Sequence, residues 1–211
     1  MAAFLALSLP GPVLAQGAAG APADRPLTIV TLGDSLSAGY KLPREAAFTS
    51  QLEAALKARG YDVRVPNTGV SGETTAGGLS RLDWLLADKP DMVIVELGAN
   101  DGLRGIDPAA TRANLDRILT RLKEKGVAVL LAGMLAPRNL GPEYARAFDA
   151  LYPDLAKAHG VAFHPFFLEG VAMDPALNQE DGMHPTAEGV AVIVRNILPG
   201  VIAVLDGLKA G

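Results

Sequence analysis

Apolar residues recur along this chain in two alternating rhythms. Short runs at 27–32, 61–65, 91–97, 127–133 and 161–163 are rich in apolar and β-branched residues and show little polar alternation. That is the pattern of strands covered on both faces in a parallel sheet. Between them, segments 45–59, 74–88, 108–125 and 141–159, with a last one at about 186–206, carry apolar residues at helical spacing, as in Leu79, Leu82, Leu85 and Leu86. Strands alternating with helices predict an α/β fold, a three-layer α/β/α sandwich around a parallel sheet. Trp84 falls in one of the apolar helical segments and is expected in the core.

No internal repeat, low-complexity block or linker follows Arg25. The 211 residues, 49% of them hydrophobic and 20% charged, can bury one sizeable core. The expected organisation is therefore one domain over 26–211. A formal net charge of −4 without any basic run gives nucleic acid or an anionic membrane surface no electrostatic reason to bind. There is no cysteine, hence no disulfide and no thiolate chemistry. Residues 1–25 stand apart. Met1 to Leu14 is mostly apolar and Val13-Leu14-Ala15 offers small residues for a signal peptidase, although no Lys or Arg precedes Arg25. A cleaved signal peptide, and so a periplasmic or secreted protein, is the expectation, with a disordered Ala/Gly/Pro tail as the alternative. The stretch is too short and too interrupted by Pro and Gly to span a membrane.

Candidate chemistry sits where the strands end. The first strand run is followed by Gly33-Asp34-Ser35-Leu36-Ser37, the second by Asn67-Thr68-Gly69-Val70-Ser71-Gly72-Glu73, the third by Gly98-Ala99-Asn100-Asp101. Parallel strands all end on one side, so these three segments should share one edge of the sheet. Glycine lets a backbone N–H approach a ligand closely, and an asparagine amide donates; together these are the parts of an oxyanion hole. Downstream, Asp181-Gly182-Met183-His184 offers a carboxylate beside an imidazole. A serine, a histidine and an aspartate suit acyl transfer, because a hydroxyl becomes a strong nucleophile only when an adjacent, oriented base takes its proton.

These residues resemble the SGNH subgroup of the GDSL hydrolases, whose signature residues appear in order as Ser35, Gly72, Asn100 and His184. The resemblance is closer still to the bacterial thioesterase I, lysophospholipase and arylesterase type, through Gly33-Asp34-Ser35-Leu36-Ser37-Ala38-Gly39-Tyr40, Val95-Glu96-Leu97-Gly98, Asn100-Asp101-Gly102-Leu103-Arg104-Gly105 and Asp181-Gly182-Met183-His184-Pro185. The resemblance implies a flavodoxin-like sheet of strand order 2-1-3-4-5 and a hydrolase of esters and thioesters that needs no metal or cofactor. It also implies a monomer acting on a small-molecule ester or thioester. By the same resemblance Ser35 is the nucleophile, His184 the general base and Asp181 the group that supports it. The oxyanion donors are then the N–H of Ser35, the N–H of Gly72 and the Asn100 side chain.

Several features have plainer readings. Asp34, next to Ser35, is expected to tie down the loop rather than serve as the triad acid. Ser37 and Ser71 do not complete a G-x-S-x-G elbow. Asp181 and His184 could also form a turn that caps the last helix, with Pro185 preset for its first turn. His159 and His164 read as structural, since a zinc site would need further ligands. Gly102, Leu103, Arg104, Gly105 and Ile106 form a candidate substrate loop, either a mobile lid or an ordinary helix lead-in. The segment 136–146, with Pro137, Asn139, Leu140, Gly141 and Pro142, is a second irregular stretch that could touch substrate. Two other functions fit the fold: a flavin- or phosphate-binding module, disfavoured by an aromatic content of 5%, and a carbohydrate O-acetylesterase with the same triad and a short polar pocket.

Overall fold

The structure, a computed structural model, describes residues 25–210. The expected leader, apart from Arg25, lies outside the described residues. Five parallel strands, β1 (Leu27–Gly33), β2 (Val63–Arg64), β3 (Met92–Glu96), β4 (Ala128–Ala132) and β5 (Ala162–His164), pair in the order β2-β1-β3-β4-β5. That is the order the resemblance implies. Every residue of β3 is buried, as is β1 after Leu27, which is why these runs lack polar alternation. β2 is shorter than the 61–65 run: it is an edge strand whose two residues pair with Leu27 and Thr28 of β1.

Among the described residues, seven α-helices flank the sheet: α1 (Ser35–Ala38), α2 (Phe48–Lys57), α3 (Thr75–Ala87), α4 (Ala99–Leu103), α5 (Pro108–Glu124), α6 (Pro142–His159) and α7 (Ala187–Ala210). α2 packs with α7 on one face, while α3, α5 and α6 pack in turn on the other. Local chemistry sets their starts. Thr74 accepts from the Gly77 N–H ahead of α3, and Asp107 from the Ala109 N–H ahead of Pro108, whose fixed φ suits a first helical turn. α7 is capped by Thr186 Oγ1, which accepts from the Gly189 N–H at 3.2 Å. Asp181, His184 and Pro185 lie upstream of it, so they are not its cap.

Trp84 is not in the core. It is 65% exposed, because the buried stripe of α3 runs through Thr75, Gly78, Leu82 and Leu85. Position 84 lies about 200° around the helix from Leu82. α7 is long and apolar enough to cross a bilayer. Its buried residues, among them Ile193, Ile197 and Val201, pack on α2, β4 and β5, which accounts for that composition. His159 ends α6 and pairs with Asp116 on α5 at 2.7 Å; His164 is buried at the end of β5.

The connectivity fixes where a site can form. From β1 the chain passes to β2 on one side, then crosses back to β3 on the other. The segments leaving β1 and β3 therefore diverge and leave a crevice at the carboxyl end of the sheet.

Candidate active site

Ser35 is the first residue of α1, two residues beyond the end of β1. Asp34 turns the chain there: its Oδ1 accepts from the Leu36 N–H at 2.9 Å, and the side chain is fully buried. Asn100 lies in the first turn of α4, just beyond β3, and its amide nitrogen donates to Asp34 Oδ2 at 2.9 Å. The residues following the two central strands are thus bonded across the crevice. The Asn100 amide keeps a second hydrogen for another acceptor.

Gly98 makes this arrangement sterically possible. Its φ is +115°, and a Cβ there would stand 2.0 Å from the Tyr152 hydroxyl, which donates to the Leu97 carbonyl at 3.0 Å. Only glycine accommodates both that backbone and that approach. α4 is then tied to its neighbours by Asp101, a buried carboxylate that accepts from the Thr75 N–H, the Thr75 hydroxyl and the Thr111 hydroxyl. These bonds join α3, α4 and α5, and so fix the helix that carries Asn100.

The segment after β2 closes a third side. The Val70 N–H donates to the Gly33 carbonyl at 3.0 Å, and Arg81 forms an ion pair with Glu73 while also donating to Gly33 O at 3.3 Å. Arg104 donates to the Gly72 carbonyl at 2.9 Å. Among the described residues, neither the Ser35 N–H nor the Gly72 N–H donates to a protein acceptor. Both stand at the cleft together with the Asn100 amide.

On the fourth side, between β5 and α7, the turn at Asp181 brings in the imidazole. His184 Nε2 lies 2.9 Å from Ser35 Oγ, and His184 Nδ1 lies 2.8 Å from Asp181 Oδ2. Asp181 Oδ1 accepts the N–H groups of His184 and Met183 at 2.9 and 3.0 Å. Those two backbone N–H groups, that of His184 first, with the imidazole bond after them, hold the Asp181 carboxyl well below the usual carboxylate range. An ionised carboxylate only accepts, so the imidazole carries its proton on Nδ1 and leaves Nε2 free to accept from Ser35. The Tyr40 ring packs on the imidazole, centroids 4.4 Å apart.

Asp34 behaves oppositely to Asp181. Burial pushes its carboxyl up to about 6 against the lowering effect of its bonds to Leu36 and Asn100. It has no hydrogen bond to His184 and serves the turn and Asn100, as expected from its place next to Ser35.

The cleft in front of Ser35 encloses about 660 Å³. Its walls beyond the polar corner are apolar, with Leu103, Met134, Leu135, Leu168, Met173 and Met183. Of the candidate substrate loop, Leu103 reaches this cleft and is 58% exposed. Gly102 is different: it lies inside α4, buried against Pro137 and Phe148. From the second irregular stretch, Ala136, Pro137 and Arg138 line the cleft. The structure therefore brings together Ser35, Gly72, Asn100, Asp181 and His184. Sequence reasoning misses Tyr40 over the imidazole, the Glu73–Arg81 pair and the buried Glu96. A charged residue closing the otherwise apolar run Met92-Val93-Ile94-Val95 is a visible signal for the last of these.

A parallel α/β sandwich with a serine, histidine and aspartate bonded in series at its carboxyl edge defines the α/β serine hydrolases. Comparison with known proteins narrows this. Residues 31–192 match the model of the GDSL-like lipase/acylhydrolase family, and the chain belongs to that family. It is 44% identical over 161 residues to the arylesterase of Vibrio mimicus, covering 76% of this chain and 80% of the relative. It is 42% identical over 162 residues to thioesterase 1/protease 1/lysophospholipase L1 of Escherichia coli (strain K12), covering 76% of each. The crystal structure of TesA superposes with a TM-score of 0.80 at 40% identity, over 84% of this chain and 99% of that one. The protein is a carboxylic ester hydrolase.

Proposed function

We propose that the protein cleaves oxyesters and thioesters of apolar acyl groups through a covalent acyl-enzyme on Ser35, with thioesterase, arylesterase and lysophospholipase activities. The observation that carries this reading is the unbroken series Asp181 Oδ2, His184 and Ser35 Oγ, with 2.8 and 2.9 Å links, opening on an apolar cleft. Ser35 Oγ attacks the acyl carbon while His184 Nε2 takes its proton. The oxygen that gains charge is met by the Ser35 N–H, the Gly72 N–H and the free hydrogen of the Asn100 amide. Collapse breaks the bond to the alkoxide or thiolate, to which His184 returns the proton. Water, activated by the same imidazole, then releases the acid.

The apolar walls favour an extended acyl chain over acetate, and so this reading over the carbohydrate O-acetylesterase. The ordered donors around Ser35 likewise favour an enzyme over a binding module. The proposal includes export to the periplasm or beyond, supported by the apolar 1–14 stretch and the Val13-Leu14-Ala15 signal, and action as a monomer. The test is a series of p-nitrophenyl esters from acetate to decanoate. kcat/KM should rise from acetate as the chain fills the apolar wall; a maximum at acetate with steady decline thereafter would overturn the acyl-chain assignment.

A further inference from the structure

Glu96 ends β3 with its side chain entirely buried. It lies beside Gly33 in the β1–β3 register. Its Oε2 accepts the peptide N–H of Asp34 at 3.2 Å, while its Oε1 is buried with no hydrogen-bond partner among the described residues. Gly33 makes room for it: a Cβ at that position would stand 2.7 Å from Glu96 Oε2 and 2.3 Å from Ser37 Oγ. A carboxyl group has therefore been fitted beneath the turn that carries the nucleophile. None of the steps proposed above uses it.

Two features decide its charge. An ionised carboxylate with an oxygen lacking any donor in a dry interior is costly, whereas the neutral acid leaves a much smaller deficit. Asp34, whose peptide N–H it holds, is itself a buried acid. Burial first, and then the charge of Asp34, push Glu96 well above the usual carboxylate range. Both Asp34 carboxylate oxygens accept hydrogen bonds, from Leu36 and Asn100, whereas Glu96 has one oxygen without a donor, so the negative charge is better met on Asp34, the member bonded to Asn100.

We infer that Glu96 is a positioning residue of the oxyanion hole: its carboxyl, set beneath Gly33, anchors the Asp34 peptide and so aims the Ser35 N–H and, through Asp34, the Asn100 amide. The anchored peptide immediately precedes Ser35, so a shift there moves the Ser35 donor. The Asp34 carboxylate that orients Asn100 moves with the same residue. This inference rests on the assignment of those donors made above.

The test compares Glu96→Gln and Glu96→Leu with wild type on one p-nitrophenyl ester, alongside labelling of Ser35 by a fluorophosphonate. Gln retains a neutral acceptor for the Asp34 N–H; Leu has none. Glu96→Leu should lose about 10- to 100-fold in kcat with KM within about twofold, a fraction of the loss typical for deleting a whole donor. Glu96→Gln should stay within about threefold of wild type in kcat. The pH profile provides a readout that packing alone would not move. As pH rises far enough to ionise Glu96 beside Asp34, the turn is disturbed and kcat falls; in Glu96→Gln, which has no proton to lose there, that fall is absent or displaced upward. The other ionisable groups facing this corner, Asp34, Glu73, Arg81, Asp101, Tyr152 and His184, are common to both proteins, so the difference isolates Glu96. If Glu96→Leu does not fold, the alkaline limb of Glu96→Gln decides alone. Unchanged kcat in a folded Glu96→Leu, a Glu96→Gln as impaired as Leu, or identical alkaline limbs would each overturn the inference. Labelling separates this from failure of the underlying reading: wild type that is not modified at Ser35 refutes the nucleophile assignment, not the role of Glu96.

Discussion

Replacing Asp34 by Asn should remove a loss of stability that sets in as pH rises, and should slow the enzyme, both because Asp34 is a buried charge bonded to Asn100. Asp34 is fully buried, and its carboxyl is raised from 3.8 to about 6, chiefly by burial. The folded state therefore holds this proton more tightly than the unfolded chain. Its stabilising contribution is complete below the ordinary value and is lost as pH rises through about 6. At about 1.4 kcal/mol for each tenfold in proton affinity, the span from 3.8 to about 6 corresponds to about 3 kcal/mol of destabilisation at pH 8. The amide of Asp34→Asn would not titrate. Its carbonyl oxygen can still accept the Leu36 N–H, but its NH2 would face the Asn100 amide, donor against donor, at a cost of about 1–3 kcal/mol. The assay is urea unfolding of both proteins between about pH 4 and 8. The Asn variant should gain on wild type by up to about 3 kcal/mol across that range. Its kcat should fall by about tenfold or more, since Asn100 loses the acceptor that aims it. Asp181, held low, acts in the opposite sense and only toward and below the ordinary carboxylate value, as its contribution is lost with falling pH. A stability difference that does not change with pH would refute the buried charge, and an unchanged kcat would refute the coupling to Asn100.

Further outcomes follow from the same geometry. Asn100→Ala should lose about 10²–10³ in kcat with little change in KM, in steady-state kinetics on one ester, because the contact is made chiefly in the transition state. In steady-state kinetics on one activated ester, Asp181→Asn should lower kcat/KM by orders of magnitude, with His184→Ala at least as damaging; a fully active His184→Ala would assign the base elsewhere. Trp84→Ser should shift unfolding by no more than about 0.5 kcal/mol in urea titration, since the ring is exposed on α3.

Much of this is legible in the sequence because it depends on local pattern. The unbroken apolar runs around Ile29–Leu32 and Met92–Val95 identify strands covered on both faces, and polar residues at their ends mark one edge of a sheet. What pattern cannot supply is pairing between distant residues. That Asn100 bonds to Asp34 and Glu96 lies beneath Gly33 depends on the register of β1 against β3. Trp84 departs from the expected core because helical spacing locates an apolar stripe only within a residue or two. The cap of α7 departs for a similar reason, since Thr186 is one residue beyond the Pro185 that resembles a helix start. α4 reads as loop because five residues with a glycine among them are too few to show a helical period, yet Asp101 holds them through partners on α3 and α5.

The central claim is that Ser35 is the acylated nucleophile, and covalent labelling tests it most directly. Wild type and Ser35→Ala would be treated with a fluorophosphonate, weighed intact by mass spectrometry, digested and mapped, with hydrolysis of one activated ester followed in parallel. The account predicts a single adduct on Ser35 in wild type, loss of activity in step with labelling, and neither adduct nor measurable turnover in a folded Ser35→Ala. An adduct on another serine, or Ser35→Ala retaining more than a few per cent of wild-type turnover with contamination excluded, would contradict it.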